Sequence, residues 1–148
     1  MATSEQVGIH WASTEEELRG AIAVREEVFC REQGVSREEE LDGRDEEALH
    51  VVGVDPASGH VVATLRLLLD GERAKVGRVA VERRWRRRGI AARMLELALA
   101  EARGRGCGEA RLAAQLQATS VYEQAGFAIE SDEFEEAGIA HVWMGRKL

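Results

Sequence analysis

The sequence predicts a mixed α/β domain built on one central sheet with helices packed against it. Short apolar runs bounded by turn residues indicate strands, and two longer stretches with apolar residues at helical spacing indicate helices. The second of these helices lies between two predicted strands. A helix of that length suits a crossover connection, so we expect the two strands to be parallel neighbours. The 148 residues fit one domain, 1–148, with a single core.

The first third of the chain predicts a strand, a helix and a loop. Val7–Trp11 is a short apolar run and predicts the first strand. Ser13 or Thr14, each followed three residues later by a glutamate, predicts the capped start of a helix that runs to about Glu32. From residue 34 to residue 47 acidic side chains dominate and apolar periodicity is missing, so this segment predicts a loop with room for a short helical piece.

The middle of the chain predicts a β-hairpin followed by a further strand. Ala48–Asp55 and His60–Leu69 are apolar runs separated by the turn residues Pro56–Gly59. After a second break, Ala74–Val81 predicts the strand that precedes the second long helix.

The second long helix and the elements after it complete the order β-α-β-β-β-α-β-α-β-β. The helix begins near Gly89, carries Ile90, Met94 and Leu97 on one face, and ends at the glycines that follow residue 103. The later predicted elements are a strand at Glu109–Gln115, a short helix at Thr119–Ala125, and strands at Phe127–Ile129 and His141–Met144 around an acidic connection.

The composition argues for a cytoplasmic protein with a local anion site. The formal net charge is −7, whereas proteins that bind nucleic acid or anionic membranes through phosphates are usually basic. Cys30 and Cys107 lie far apart without metal-ligand spacing, so we expect reduced thiols and no bound metal. No apolar run approaches the about 18 residues of a membrane span, and no signal-peptide pattern is visible, so we expect a cytoplasmic location without membrane partners.

Positive charge is concentrated in one loop between a predicted strand and a predicted helix. Five arginines surround one tryptophan in Arg83–Arg88, immediately before the helix start at Gly89. The first N–H groups of a helix have no partner within the helix and lie at the positive end of its dipole. Gly89 leaves room for an anion, Ala91 keeps the next turn small, and Arg86, Arg87 and Arg88 add charge. The loop therefore predicts a pyrophosphate site.

Two other interpretations of the arginine loop are open. Charge runs on surface loops are often only solvated, and a basic patch can bind nucleic acid with an affinity that falls steeply with salt. The negative net charge and the lack of an aromatic run beside the arginines count against nucleic acid.

Two segments resemble the signatures of the GNAT acetyltransferases. Arg86–Ala91 matches the pattern [QR]-x-x-G-x-[GA], and Arg78–Val81 precedes it where that family has its fourth strand. Gln115–Phe127 is similar to the second signature, N-x-x-A-x-x-[FL]-Y-x-x-x-G-F, with Gln115 in the Asn position and Val121 where Phe or Leu is commoner. The element order agrees over essentially the whole chain, so the chain is identified as a member of this superfamily.

Within the superfamily, the chain resembles the small ElaA-like branch, whose markers here are Glu32-Gln33, Glu40, Asp42-Gly43, His50, Gln115 and Gly138–His141. The resemblance implies a single-domain GNAT-like fold: a central mixed, largely antiparallel sheet with splayed fourth and fifth strands, flanked by helices. It also implies an acetyl-CoA-dependent N-acetyltransferase that transfers an acetyl group directly to a primary amine.

The resemblance also implies roles for particular residues. The loop's backbone N–H groups would bind the pyrophosphate of acetyl-CoA, and an N–H of Val79, Ala80 or Val81 would donate to the thioester carbonyl. Tyr122, the one tyrosine of the chain, would protonate the departing thiolate, unless it only packs the core. Gln115 would bond the pantetheine or the acceptor, unless it only ends its strand. The residues expected at the donor site are Val79, Ala80, Val81, Arg86, Arg87, Arg88, Gly89, Ile90, Ala91, Gln115 and Tyr122.

The base that removes a proton from the amine has two candidates. Glu40 and His141 both lie in segments that resemble the ElaA-like pattern, although Glu40 also fits a solvated acidic run and His141 a buried core histidine. If carboxylates line the acceptor side, the cleft would favour a cationic small-molecule or peptide amine.

Three function classes follow from these observations. The first is the N-acetyltransferase, the second a catalytically silent acyl-CoA-binding or regulatory module, and the third a nucleic-acid-binding protein. Retention of Tyr122 disfavours the second. A homodimer through an edge strand is consistent with the resemblance, and neither the acceptor nor the acyl length follows from the sequence.

Overall fold

The computed structural model describes residues 6–148, which form the predicted α/β fold around one central sheet. The sheet has eight strands, one more than predicted. The helices are α1 (Glu15–Arg25), α2 (Arg37–Glu40), α3 (Ile90–Gly104) and α4 (Thr119–Gln124), and α1 continues as a π-helix over Glu26–Glu32. Short 3₁₀ turns lie at Asp45–Glu47, Arg83–Trp85 and Leu116–Ala118. The strands are β1 (Gly8–Trp11), β2 (Leu49–Val54), β3 (Val61–Asp70), β4 (Arg73–Val81), β5 (Glu109–Gln115), β6 (Ala128–Ile129), β7 (Phe134–Glu136) and β8 (Ile139–Lys147).

The sheet is mixed and mostly antiparallel, in the order β1-β2-β3-β4-β5-β8-β6, with β7 paired to the start of β8. Only β4 and β5, which α3 connects, run parallel among the described strands, and this confirms the crossover predicted from the sequence. The main core lies between α3 and the sheet, where Met94 and Leu95 of the helix meet Leu65, Leu67 and Leu112. A smaller cluster of Val24, Val28 and Ala80 packs the N-terminal helix against β4.

The first helix has its predicted limits, but its second part is π-helical instead of α-helical. Thr14 caps it by accepting a hydrogen bond from the Glu17 N–H, as the sequence indicates. From Glu26 onward the helix becomes π-helical. Such a segment is rare and often marks a functional site.

The C-terminal hairpin contains one more strand than predicted. The connection after residue 129 was expected to be acidic loop, but Phe134–Glu136 forms β7 and pairs with Ile139–His141. The Phe134 ring stacks on His141 and Trp143, which accounts for strand structure in a segment of otherwise acidic composition.

Two irregularities in β4 open the sheet. Thr64 pairs with Ala80 but Arg66 pairs with Gly77, so two residues of β4 oppose one residue of β3 in a bulge whose first residue, Arg78, has a φ of 51°. Pairing of β4 with β5 ends at Lys75. The remainder of β4 therefore diverges from β5, as the resemblance implied.

Within residues 6–148, no helix is both long and apolar enough to cross a membrane.

Candidate active site

The gap between β4 and β5 opens into a cavity of about 430 Å³, a volume typical of small-molecule sites. The π-helix and the loop after it form one side, and β5, α4 and β8 form the other. Of the residues predicted at the site, Glu40, Val79, Gln115, Tyr122 and His141 all line this cavity. The arginine loop lies outside its lining, at the end of β4.

The arginine loop leads from a 3₁₀ turn into α3 with two residues in the left-handed region. Arg87 has a φ of 64° and Gly89, the N-cap of α3, a φ of 74°. No acidic residue lies in the first turn of α3, and Gly89 supplies no capping side chain. The N–H groups of Ile90 and Ala91 therefore start the helix without a carboxylate partner, which leaves them available to an anion.

The arginine side chains of this loop have different surroundings. Arg86 forms two hydrogen bonds to the Glu32 carboxylate, at 2.9 and 2.7 Å, and a third to the Val81 carbonyl at 2.8 Å. Arg88 lies over the buried Trp85 ring, 4.9 Å from its centroid. Arg87 is exposed. The side-chain charge of Arg86 is thus already paired within the protein.

Tyr122 lies in α4 with its side chain buried between the cavity and the core. It is 8% exposed, and the Phe127 ring packs against it edge-on at 6.3 Å. Burial raises the pKa of Tyr122 to about 12, because a phenolate would lose its hydration there. The phenol is therefore protonated at neutral pH and can donate a hydrogen bond into the cavity.

His141 lies at the start of β8, opposite Gln115 of β5. Its Nδ1 is 2.7 Å from the Ile139 carbonyl oxygen. Because a carbonyl only accepts, Nδ1 carries the proton of the neutral ring, and Nε2 keeps a lone pair. The ring is 7% exposed and is held flat against Phe134, with the centroids 5.8 Å apart.

Glu40 is part of a buried ion network rather than of a solvated acidic run. Its carboxylate accepts a hydrogen bond from Arg25 at 2.9 Å and forms an ion pair with Arg78 at 2.8 Å, and the side chain is 4% exposed. Arg78 also donates to the Glu40 backbone carbonyl at 2.9 Å. Arg25, which is completely buried, also binds Asp45 at 2.8 Å.

The same network binds the rest of the acidic loop. Arg66 holds Asp42 through two hydrogen bonds of 2.8 Å and contacts Asp45 at 3.2 Å. The Arg66 hydrogen bonds hold the pKa of Asp42 well below its usual range, against the opposing effect of its partial burial. Three arginines thus meet three carboxylates, so this wall of the cavity is close to neutral.

The carboxylates with a free charge stand at the cavity rim. Glu39 and Glu136 line the cavity and are exposed. The expectation that carboxylates line the acceptor side therefore depends on Glu39 and Glu136 and not on Glu40.

Gln115 bonds to protein rather than facing free space. Its amide and that of Gln33, the residue after the π-helix, bond each other reciprocally at 2.9 and 3.3 Å. Gln117 donates to the Gln115 side-chain oxygen at 2.6 Å. This pair spans the cavity from the π-helix to the end of β5.

Neither cysteine lines the cavity. Burial and the neighbouring Glu40 and Glu26 carboxylates raise the pKa of the Cys30 thiol, and Cys107 is buried. Among the described residues no cluster of histidine, cysteine and carboxylate side chains could hold a metal ion.

Sequence reasoning missed Arg25, Arg66 and Arg78 as members of the site, and it gave Glu32 and Gln33 no role. A signal was present for Arg66, because a single arginine inside the apolar run His60–Leu69 must be paired when the strand is buried. No comparable signal identifies the partner of Glu32.

Comparison with known proteins identifies the family of this chain. The family model described as the acetyltransferase (GNAT) domain matches residues 12–148. YjcF of Bacillus subtilis, an uncharacterized N-acetyltransferase, is 36% identical over 134 residues, which are 90% of this chain and 94% of that protein.

Solved structures share the fold over nearly the whole chain. An acyl-CoA N-acyltransferase from Pseudomonas aeruginosa has 27% identity and a TM-score of 0.82, and Escherichia coli ElaA has 23% identity and a TM-score of 0.83. Each match covers 95% of this chain and 99% of the other. An acetyltransferase from Bacillus subtilis in complex with CoA has a TM-score of 0.72 at 14% identity, covering 97% and 99%. The predicted structural likeness to ElaA is confirmed.

Proposed function

The chain belongs to the GNAT family of acetyltransferases and is an acyl-CoA N-acyltransferase. On this premise we propose that it transfers the acetyl group of acetyl-CoA directly to a primary amine bound in the cavity between β4 and β5. The proposal depends most on one observation: β4 diverges from β5 beside the start of α3. Because of this divergence, N–H groups of β4 lack a partner on β5 next to the proposed anion site.

The bulge determines which N–H groups of β4 face the gap. The Glu82 N–H donates to Val62 of β3, and N–H directions alternate along a strand. The N–H groups of Val81 and Val79 therefore point away from β3, toward the missing partner strand. An N–H in this position can donate to a thioester carbonyl and stabilise the negative charge that develops on its oxygen.

The start of α3 fits the pyrophosphate. Unpaired N–H groups at Gly89, Ile90 and Ala91 and the helix dipole attract an anion there. Arg87 and Arg88 add positive charge at the loop surface. This assignment supports acetyl-CoA as the acyl donor and is independent of the acceptor.

The acetyl transfer then forms one bond and breaks one bond. The amine nitrogen attacks the carbonyl carbon, the carbon–sulfur bond breaks, and a proton leaves the nitrogen while sulfur takes up another, giving an amide and a thiol. The absence of an activated thiol along the cavity favours this direct route over an acetylated cysteine, since the pKa of Cys30 is raised.

Tyr122 is positioned to assist the leaving sulfur. With its pKa raised to about 12, the phenol is a weaker acid than an ordinary thiol by roughly three pKa units. A complete proton transfer from Tyr122 would be uphill. We therefore assign Tyr122 a hydrogen bond that stabilises the developing thiolate, and the proton that sulfur finally takes up comes from water.

His141 is the favoured base. Its Nδ1–H is anchored on Ile139, which leaves the Nε2 lone pair to accept the amine proton directly or through a water. Glu40 remains the second candidate, but its two arginine contacts favour a role in holding the acidic loop against the sheet.

The proposal is tested by CoA release from acetyl-CoA with a panel of primary amines, including diamines, aminoglycosides and lysine peptides. Tyr122→Phe is expected to lower kcat at least tenfold while leaving acetyl-CoA affinity within twofold, because only the hydroxyl is lost. Phe127→Leu, which disturbs the packing around Tyr122 but keeps the hydroxyl, is the control.

His141→Gln should lower kcat, because the glutamine side chain has no basic nitrogen to accept the amine proton. Acetylation that proceeds at the wild-type rate in both Tyr122→Phe and His141→Gln would contradict these roles. The absence of acetyl-CoA binding would contradict the proposed function itself.

A further inference from the structure

We propose that Glu32 is a positioning residue for the donor site, and that it acts through Arg86. Their ion pair joins the end of the π-helix to the arginine loop and holds that loop in the shape that receives a pyrophosphate. This inference rests on the proposed function, because it concerns the same acetyl-CoA site.

The contacts between the two side chains are extensive. Both carboxylate oxygens of Glu32 accept from Arg86, at 2.7 and 2.9 Å, in a bidentate pair. The Arg86 Nε donates to the Val81 carbonyl at 2.8 Å, which ties the pair to the end of β4. The Glu32 side chain is 17% exposed and that of Arg86 37% exposed. The Arg86 hydrogen bond lowers the pKa of Glu32, so the carboxylate is charged at neutral pH.

The Glu32–Arg86 ion pair, together with the hydrogen bond from Arg86 to Val81, is a structural link that we call the brace. Glu32 is not a temporary counterion that a phosphate would displace. Releasing Arg86 to a phosphate would break its three hydrogen bonds to Glu32 and Val81 together. It would also free the residue before Arg87, whose left-handed φ of 64° is unfavourable for any residue with a Cβ. Held at Arg86 on one side and at the Gly89 cap on the other, the loop is already ordered before an anion binds. Such preorganisation reduces the entropy lost on binding.

The π-helix gives the brace its second anchor. Glu32 is the last π-helical residue, and the next residue, Gln33, exchanges two hydrogen bonds with Gln115 at the end of β5. Two consecutive residues thus join the N-terminal helix to both sides of the open sheet. The other contact of Glu32, to the 79% exposed Arg83 at 3.4 Å, is longer and more solvated.

Calorimetric titration with acetyl-CoA of the wild type, Glu32→Gln, Arg86→Gln and the double variant tests the inference. Glu32→Gln is expected to weaken acetyl-CoA binding about fivefold, the effect of losing one good charged contact. The double variant should bind no more weakly than Arg86→Gln alone, because Glu32 has nothing left to act on. Glu32→Asp, which keeps the charge, should bind more tightly than Glu32→Gln.

The control is Glu27→Gln, on the same π-helix. Glu27 is 49% exposed, and its one ion pair among the described residues is to Arg31 at 3.7 Å. The affinity of Glu27→Gln for acetyl-CoA should therefore stay within twofold of the wild type. Melting temperatures without ligand identify any variant that is partly unfolded.

The inference is overturned if Glu32→Gln binds acetyl-CoA as tightly as the wild type or more tightly. It is also overturned if the losses of the two single variants multiply in the double variant, since Glu32 would then act independently of Arg86. Failure of the wild type to bind acetyl-CoA is a separate outcome that refutes the proposed function.

Discussion

Replacing Arg25 by methionine should destabilise the protein strongly, because Arg25 is the fully buried member of the network that holds the acidic loop. It is 0% exposed and donates to Glu40 at 2.9 Å and to Asp45 at 2.8 and 3.2 Å. Removing one partner of a buried ion pair costs about 3–5 kcal/mol. Glu40 keeps Arg78 and Asp45 keeps Arg66, so we expect the lower end, about 3 kcal/mol.

Urea unfolding at neutral pH and 25 °C measures this loss as a change in midpoint at constant m. The matched control is Arg37→Met in α2, whose side chain is 72% exposed and pairs with Glu26 at 3.1 Å. A surface pair of this kind contributes at most about 1 kcal/mol. If Arg25→Met and Arg37→Met change the free energy of unfolding equally, the buried network does not stabilise the loop, and our account of this wall of the cavity is refuted.

Two further predictions concern stability. The pKa of Asp42 is lowered by the Arg66 hydrogen bonds, so its contribution to stability is complete above about pH 4 and is lost as the pH falls below that value; acid unfolding of Asp42→Asn should therefore show a weaker pH dependence than that of the wild type. Gly126→Ala should cost about 1 kcal/mol in urea unfolding because Gly126 has a φ of 93°. Gly104→Ala, at the open end of α3 with nothing within 4 Å of the added Cβ, should be neutral or stabilising, and equal effects of the two substitutions would contradict the backbone argument.

The elements that frame the donor site could be predicted because their signals are local. The strand at Glu109–Gln115 alternates buried and half-buried side chains along its whole length, and the structure gives it the predicted limits. The crossover from β4 to β5 followed from the length of the intervening helix, and the start of α3 followed from Gly89. Each of these predictions uses only residues that are close together in the sequence.

The π-helix and the ion network could not be predicted in the same way. A π-helical segment keeps apolar residues at nearly helical spacing, so Glu26–Glu32 was predicted as ordinary helix. The partners of Arg66 lie 21 and 24 residues away in the chain, and those of Arg78 lie 36 and 38 residues away. No spacing pattern joins them. The sequence therefore suggested a free acidic loop, whereas the fold neutralises most of it.

The roles of Tyr122 and His141 could be predicted only in part from the sequence. The resemblance singled out both residues, and the structure brings both to one cavity. The protonation state of Tyr122 and the tautomer of His141 depend on burial and on the Ile139 carbonyl, which only the folded chain supplies.

The most direct test of the central claim is the melting temperature with and without acetyl-CoA for the wild type, Ala91→Glu and Ala100→Glu. Ala91 lies in the first turn of α3, where a carboxylate would occupy the anion site, and Ala100 is exposed two turns later on the same helix. At a hundredfold excess over the Kd, the wild type and Ala100→Glu should gain about 2.7 kcal/mol, a rise of roughly 5–10 °C. Ala91→Glu should gain little. An equal rise in all three proteins, or none in the wild type, would contradict the assignment of acetyl-CoA to this loop.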